Sequence, residues 1–367
     1  MRIKGGSLLT MSLALLFVFL LTGVAQAKDK DSFAKIEQIV LEAKEEFGTP
    51  AISVALVMND ELVWAKGFGL ADVENQVPAQ ANTVYRIASI SKPMAATAVM
   101  QLVEQGRVNI DDPIQKYVSY FPQKPLEIAV RNVMSHTSGV RHYKPGEMDM
   151  KDHFHSVEEA IEIFKADPLL FTPGTLYSYS SYAYNLLAGV VETASGLTFE
   201  AYMKEHVWGP AGMTVTHLEH QGEIVPHRAR QYVKAGPNGA VENAPFADLS
   251  IKWAGGGIIS TAEDLARFHI ALNTGKLLQP ETLEEMYTPF KLADGNETNY
   301  GLGWQIYKDD QGRRWINHGG GATGGSTYLL RQPESKLAVA IMCNVQNAGD
   351  RLELALKIIE AATAEGN

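Results

Sequence analysis

The sequence contains a single cysteine, Cys343, so no disulfide bond can form within the chain. Basic charge is also scarce: the formal net charge is -10, which provides no surface for phosphate backbones, and we expect no nucleic acid among its partners. Four histidines lie close together without a Cys cluster or an HExxH helix, so we expect solvated loop histidines and no metal site. These histidines are His136, His142, His153 and His155.

The composition is that of an ordinary globular protein. In 367 residues, 46% are hydrophobic and 20% are charged, enough apolar material for one large or two interleaved domains with a sizeable core. Cys343 lies in the apolar run LAVAIMCN (337–344), where a buried strand cysteine is expected and a nucleophile is not.

The first 27 residues differ from the rest of the chain. Arg2 and Lys4 precede an apolar run from Leu8 to Leu21, and the small residues AQA (25–27) form a cleavage site. This pattern predicts a secretory signal peptide over 1–27 and a mature protein that is periplasmic or secreted. The alternative is an uncleaved anchor, which would be the only expected contact with a membrane.

Hydrophobic patterning predicts an α/β (α+β) fold. Near the amino end, a helix after Asp31 or Ser32 precedes strands at 51–58 and 61–69, joined at Asn59 and Asp60. In the carboxyl third, the pattern predicts strands at 301–309, 313–319, 326–333 and 336–344, and a last helix at 348–362. Both ends then contribute to one antiparallel sheet covered by terminal helices, and the middle third predicts helices and loops. We therefore expect a sheet domain of 28–95 and 250–367 with a mainly helical insertion at 96–249.

The segment RIASISKPMAAT (86–97) places a serine and a lysine three residues apart at the start of an apolar helix. Side chains at i and i+3 are neighbours on a helix, so the Ser89 hydroxyl and the Lys92 amine can meet. Helix position and burial would both lower the pKa of Lys92, and a neutral lysine beside a serine is a base. The alternative is that Ser89 or Ser91 caps the helix and Lys92 is a solvated charge.

Two further segments could complete an acyl-transfer site. YSS (179–181) precedes an apolar helix, and Tyr179 is either a core aromatic with a hydrated hydroxyl or a proton relay. The segment INHGGGATGGSTYLL (316–330) carries three consecutive glycines between strand-like runs. Glycines permit close approach of the backbone, so an edge strand whose amides face a ligand explains them better than a plain loop.

SISK (89–92), YSS (179–181) and HGG (318–320), in this order, resemble the three signature elements of the serine β-lactamase and penicillin-binding-protein superfamily. The resemblance is greatest to the class C β-lactamase-like branch, which includes D,D-carboxypeptidases, β-lactamase-like esterases and the animal mitochondrial β-lactamase-like protein. It extends over about residues 33 to 362. It implies a β-lactamase/transpeptidase-like fold and no metal or organic cofactor.

The resemblance also implies roles for individual residues. Ser89 would be the nucleophile that forms an acyl-enzyme, Lys92 its base and Tyr179 the proton relay. His318 would help to position the substrate and the tyrosine. The backbone amides of Ser89 and Gly321 would form the oxyanion hole, and the implied substrate-binding residues are Ser181, Gly319 and Gly320.

Two departures bear on the substrate. Ser181 stands where many relatives have asparagine, and His318 where β-lactamases usually have lysine, so a permanent cation is replaced by a group that titrates near neutrality. The expected function is an exported serine hydrolase acting on small-molecule or peptide esters and amides. D,D-peptidase, esterase and weak β-lactamase activities stay open, with a cell-wall D-amino-acid peptide as one candidate substrate. The alternative is a non-catalytic or self-assembling protein that binds cell-wall peptide.

Overall fold

A computed structural model describes residues 32–235 and 239–364 of the chain. The predicted signal segment lies outside these residues. The strands are β1 (Ala51–Met58), β2 (Glu61–Asp72), β3 (Val77–Pro78), β4 (Tyr85–Arg86), β5 (His217–Leu218), β6 (Tyr232–Ala235), β7 (Ala240–Asn243), β8 (Ile258–Ser260), β9 (Gln305–Lys308), β10 (Arg314–Ala322), β11 (Gly325–Gln332) and β12 (Leu337–Cys343).

Seven of these strands form the main sheet, in the order β3-β2-β1-β12-β11-β10-β9, with antiparallel pairing throughout. Strands from the two ends of the sequence meet at its centre, where β1 pairs with β12. Asn59 and Asp60 both have positive φ, at 54° and 62°, which is the conformation of a two-residue hairpin turn between β1 and β2. The predicted sheet and its first hairpin are thereby confirmed.

The helices are α1 (32–46), α2 (Ser91–Glu104), α3 (Val130–Met134), α4 (Val157–Glu162), α5 (Ser181–Ser195), α6 (Phe199–Tyr202), α7 (Gly209–Ala211), α8 (Trp253–Gly256), α9 (Ala262–Asn273), α10 (Pro280–Met286) and α11 (Arg351–Thr363). A π-helical turn, Met203–Trp208, joins α6 to α7. None of the helices in the described ranges is long and apolar enough to cross a membrane.

The two faces of the main sheet bury different side chains. In β12, Val339 and Ile341 face a core that they share with α1 and α11, whereas Ala338 and Ala340 face the larger core that contains α2, α5 and α9. Successive strand residues point to opposite faces, so one strand serves both cores. The alanines leave room for α9 to pack directly on β1 and β12. Cys343, also in β12, is buried as predicted, and burial raises its pKa to about 12.

The middle third contains more strand than the sequence pattern predicts. A three-stranded sheet has the order β4-β8-β5, and β6 and β7 form a hairpin, so β5 to β7 correct the expectation of helices and loops alone. These strands have two to four residues, too few to show a period-two pattern. The predicted division into domains at 95/96 and 249/250 stays a prediction.

Candidate active site

Ser89 lies in a single 3-10 turn, Ala88–Ile90, directly before α2. Every residue from 83 to 100 is buried except Ser89, which is half-buried. Ala88 has a φ of +49°, in the left-handed region that a residue with a Cβ rarely adopts, and such strain is concentrated at functional sites. The turn therefore exposes one hydroxyl from an otherwise closed stretch of chain.

Lys92 is fully buried in the first turn of α2. Its Nζ lies 3.0 Å from Ser89 Oγ, 2.9 Å from Ser181 Oγ and 2.6 Å from the Gly255 carbonyl oxygen. Burial, reinforced by the positive charge of Lys252, holds the pKa of Lys92 well below its usual value. The alternative of a solvated lysine is wrong, and neither serine caps the helix: the N-cap is Ile90, and Ser91 donates instead to the Ala88 carbonyl.

The turn that carries Ser89 is tied to the rest of the molecule by Arg86, the last residue of β4. Its guanidinium forms a buried ion pair with Glu219, and it donates to the Thr323 carbonyl at 3.0 Å and to the Ala247 carbonyl at 2.9 Å. Thr323 directly follows β10. Because all three acceptors come from different segments, Arg86 fixes the nucleophile turn relative to the end of the glycine-rich strand.

Ser181 is the first residue of α5, and Ser180 caps that helix by accepting a hydrogen bond from the Ala183 amide. The preceding Tyr179 is half-buried, and its ring lies 4.7 Å from Lys92 Nζ. Burial raises the pKa of Tyr179, an effect that the neighbouring Ser89 hydroxyl partly opposes. The structure thus brings Ser89, Lys92, Tyr179 and Ser181 together, as the sequence predicts.

Two histidines of the segment SHTSGVRH (135–142) hold this second element in place. His136 Nδ1 accepts a hydrogen bond from the Ser180 amide and His142 Nδ1 from the Ser181 amide, both at 3.1 Å. His136 is fully buried, so the expectation of a solvated loop histidine is wrong for this residue. Burial and the charge of Lys92 lower the pKa of His142 to about 4, so the ring is neutral at neutral pH and carries its proton on Nε2.

The glycine-rich strand lies beside the nucleophile turn. β9 pairs with β10 only through Arg314 to Asn317, and among the residues that the structure describes no strand pairs with the rest of β10 on that side. A Cβ on Gly320 would lie 2.3 Å from the Ile87 carbonyl oxygen and 2.2 Å from Thr327 Oγ1. A side chain does not fit there, which explains the glycine at this position.

Gly321 is exposed and a Cβ on it would meet nothing, whereas Gly319 would approach only the Tyr328 ring. Gly321 lines the same cavity as Ser89, which fits the predicted oxyanion pair, and that role stays a prediction. Gly319 and Gly320 do not line the cavity. Their expected contact with substrate stays a prediction, and Gly320 also lets β10 approach the turn.

His318 is buried and is not among the residues that line the cavity, and its ring centre lies 6.4 Å from that of Tyr179. Its Nδ1 lies 2.7 Å from the Gly319 carbonyl oxygen, which can only accept, so Nδ1 carries the proton and Nε2 accepts from the Tyr300 hydroxyl at 2.9 Å. Burial and the charge of Lys92 lower the pKa of His318 to about 3. The expectation of a group that titrates near neutrality is therefore wrong, and the role of His318 in positioning substrate and the tyrosine stays a prediction.

A cavity of about 150 Å³ lies above these elements. Its lining residues are Ala88, Ser89, His142, Tyr143, Met148, Tyr179, Ser181, Lys252, Gly255, Gly256, Gly321 and Ala322. Sequence reasoning missed His142 and Lys252, because neither belongs to one of the three motifs. In residues 32–235 and 239–364 no group of three or more His, Cys, Asp or Glu side chains is arranged to hold a metal ion.

The chain belongs to the beta-lactamase family, whose model matches residues 36–363. The human mitochondrial serine beta-lactamase-like protein LACTB is 31% identical over 413 aligned positions, which cover 83% of this chain and 75% of the relative. The recognised family and fold class are thereby confirmed.

Two solved structures are similar over most of their length. The octameric penicillin-binding protein homologue from Pyrococcus abyssi has a TM-score of 0.77 and 26% identity, covering 89% of this chain and 76% of that one. A D-stereospecific amidohydrolase from Streptomyces sp. has a TM-score of 0.75 and 26% identity, covering 91% of this chain and 99% of that one. An amidohydrolase and a penicillin-binding protein homologue thus share this fold.

Proposed function

We propose that this protein is an exported serine hydrolase that forms an acyl-enzyme on Ser89 with an ester or amide substrate. The observation that carries the proposal is the 3.0 Å separation between Ser89 Oγ and the Nζ of a fully buried lysine. A hydroxyl becomes a nucleophile when an adjacent base can take its proton. Here the base is already within hydrogen-bond distance.

The hydrogen bonds around Lys92 describe how the proton moves. The Gly255 carbonyl can only accept, so it takes one N–H of the amine. A neutral amine has one further N–H and one lone pair for the two hydroxyls of Ser89 and Ser181. Because burial favours the neutral form, the Ser89 O–H can donate to the lone pair and pass its proton to Lys92 as its oxygen attacks the carbonyl carbon.

The next steps use Tyr179 and the two amides. Attack converts the substrate carbonyl oxygen to an oxyanion, which the N–H groups of Ser89 and Gly321 would stabilise. The oxyanion then collapses and the bond between the carbonyl carbon and the leaving group breaks, while Lys92 returns the proton through the Tyr179 hydroxyl to the departing group. The acyl group stays on Ser89 until water hydrolyses the ester to a carboxylic acid and restores the Ser89 hydroxyl. His318 acts as a positioning residue, through the hydrogen bond that its Nε2 accepts from the Tyr300 hydroxyl.

The amide and ester substrates are proposed from the two departures from the family motifs, at Ser181 and His318, as well as from the fold. Ser181 offers a hydroxyl instead of a side-chain amide, and the third motif supplies a histidine, His318, instead of a lysine. Both features favour peptidase, amidase or esterase activity over efficient β-lactam hydrolysis. A relative in the same fold is a D-stereospecific amidohydrolase, which makes D-amino-acid amides and cell-wall peptides the first substrates to try.

The experiment is intact-mass spectrometry of the chain beginning after residue 27, incubated separately with a fluorescent penicillin and an activated ester. We expect an acyl adduct on the wild-type protein and on Ser91→Ala, the matched control for a buried serine two residues away, but none on Ser89→Ala. Persistence of the adduct separates a penicillin-binding protein from a turnover enzyme. An adduct that survives Ser89→Ala, or none with any reagent, would contradict the mechanism and favour the non-catalytic or self-assembling alternative.

Export is proposed from the sequence of residues 1–27 alone. Expression of the full chain in a bacterial host, followed by fractionation and amino-terminal sequencing, is expected to yield an exported protein that begins at Lys28. Full-length protein retained in the cytoplasm would contradict export, and full-length protein in the membrane fraction would favour the anchor.

A further inference from the structure

The proposed mechanism leaves one charged side chain of the cavity without a role. Lys252 immediately precedes α8 and is 3% exposed, yet its side chain lines the cavity beside Ser89. Its Nζ donates to the Met148 carbonyl oxygen at 3.1 Å and lies 5.5 Å from the Tyr143 ring centre. An ammonium has three N–H donors, so this arrangement leaves donors for a further acceptor.

No carboxylate neutralises Lys252 directly. Within the described part of the chain, no Asp or Glu oxygen lies within 4.0 Å of its Nζ. Asp149 and Glu219 attract it from farther away, but Asp149 accepts a hydrogen bond from Thr323, and Glu219 is paired with two arginines. A buried ammonium without an ionic partner is costly, and a bound anion would relieve that cost.

The cavity itself is suited to an anion. Its lining contains Lys252 and the neutral N–H donor of His142 but no Asp or Glu. Lys252 also lies next to the reacting group: a Cβ placed on Gly256 would be 3.4 Å from Lys252 Cδ and 3.7 Å from the Ala88 carbonyl carbon. The lysine stem therefore packs close to the turn that presents Ser89.

We propose that Lys252 binds a carboxylate of the substrate, so that the acyl donors this protein prefers are anionic beside the scissile ester or amide bond. This inference rests on the proposed function, since it names the substrate class of the same site. This cation comes from the segment before α8 and not from the third motif, which carries the neutral His318 in place of a lysine. Lys252 is then a specificity-determining residue, and Lys92 stays the base.

The test compares two pairs of substrates in which one member carries a carboxylate and the other an uncharged group at the same position. One pair places the charge on the acyl side, p-nitrophenyl hydrogen glutarate against p-nitrophenyl valerate. The other places it in the leaving group, hippuryl thioglycolate against its methyl ester. The readout is the ratio of kcat/KM for the anionic and the neutral member of each pair, on wild type, Lys252→Gln and Lys252→Arg. Lys151→Gln, at an exposed lysine outside the cavity, controls for the loss of one surface charge.

We expect wild type to prefer the anionic member of at least one pair, and Lys252→Gln to lower that ratio about ten- to hundredfold, the range for a hydrogen bond to a charged group. Lys252→Arg and Lys151→Gln are expected to keep the preference. Because both rates of a ratio come from one preparation, partial misfolding cancels. The preference should also weaken as pH rises, since burial lowers the pKa of Lys252 to about 8 and deprotonation removes the charge.

An anionic preference that survives Lys252→Gln, or wild type without a preference in either pair, would overturn the inference while leaving the Ser89 mechanism intact. Parallel loss of both members of a pair in Lys252→Gln would overturn it too, because it indicates a general structural role. Absence of any Ser89-dependent acylation by all four substrates would instead overturn the proposed function itself, and the inference with it.

Discussion

The nucleophile turn and the glycine-rich strand lie side by side, but the ionisable side chains near them make different contacts. At the turn, Lys92 is buried within 3.0 Å of the hydroxyl that it could deprotonate. On β10, His318 is buried between the Gly319 carbonyl and the Tyr300 hydroxyl, which occupy both ring nitrogens. Burial lowers the pKa of both groups, yet only Lys92 keeps a contact through which a lower pKa can act on a substrate. A perturbed pKa indicates chemistry only when the group can reach the reacting atoms.

The largest effect is expected for Lys92→Met, which keeps an unbranched side chain and removes the amine. We expect the rate of Ser89 acylation by an activated ester to fall about 10²- to 10⁴-fold, the usual contribution of a general base. The matched variant, His318→Gln, should cost far less, because it alters only the hydrogen bond with the Tyr300 hydroxyl. Stopped-flow kinetics of p-nitrophenol release measures both, and an equal loss in the two variants would remove the distinction between the two regions.

The close approach of the two regions is tested by neighbouring glycines. Gly320→Ala places a methyl group against the Ile87 carbonyl and Thr327, so we expect unfolding free energy to fall by about 1–3 kcal/mol, as for overpacked interiors. Gly321→Ala meets open space and should change it by less than about 0.5 kcal/mol. Urea unfolding measures both. Equal effects at the two positions would show that β10 does not press against the turn.

The pH dependence of stability should reveal the buried histidine. The pKa of His318 in the folded protein is about 3, below the ordinary value of 6.5. Between these two pH values the unfolded chain binds a proton at His318 that the folded chain does not bind. Its contribution to stability is present above pH 6.5 and is lost as pH falls toward 3, with a slope of at most about 1.4 kcal/mol per pH unit. For His318→Gln, the unfolding free energy should therefore depend less steeply on pH in this window than for wild type. An unchanged dependence on pH would mean that water reaches the His318 ring.

The smallest expected effect couples the two lysines of the site. Lys92 accepts a proton only when neutral, so acylation should rise with pH through a pKa well below the usual lysine value of about 10.4. The positive charge of Lys252 contributes to that lowering. Lys252→Gln should move the rising limb of the pH–rate profile to higher pH, measured with a neutral ester. A limb that does not move would mean that burial alone sets the pKa of Lys92.

The sequence predicts the central sheet well because its strands are long. β1 and β12 are apolar runs of eight and seven residues bounded by turns, and the SISK spacing places two side chains on one helix turn whatever the rest of the chain does. The predicted strand at 301–309 begins later, at Gln305, because YGLG (300–303) forms a turn with Gly303 at a φ of +90°. Local patterns therefore give the elements and the nucleophile.

The remaining features depend on partners that are distant in sequence. His318 is neutral because Tyr300 and the core close over it, and nothing in HGG distinguishes a sealed histidine from an exposed one. Lys252 enters the cavity because the loop carrying Met148 lies against it, 104 residues away. Likewise, His136 and His142 support the second motif from about 40 residues upstream. A sequence pattern records neither burial nor such contacts.

The exposure pattern around Ser89 has a practical consequence. From residue 83 to residue 100 it is the one position that is not buried, and the native thiol of Cys343 is sealed in β12 with a raised pKa. A Ser89→Cys variant would thus carry one accessible thiol, beside the Lys92 amine, in a protein whose native cysteine does not react with thiol reagents while it is buried. Reporter groups could then be attached at the reaction centre without any other change to the chain.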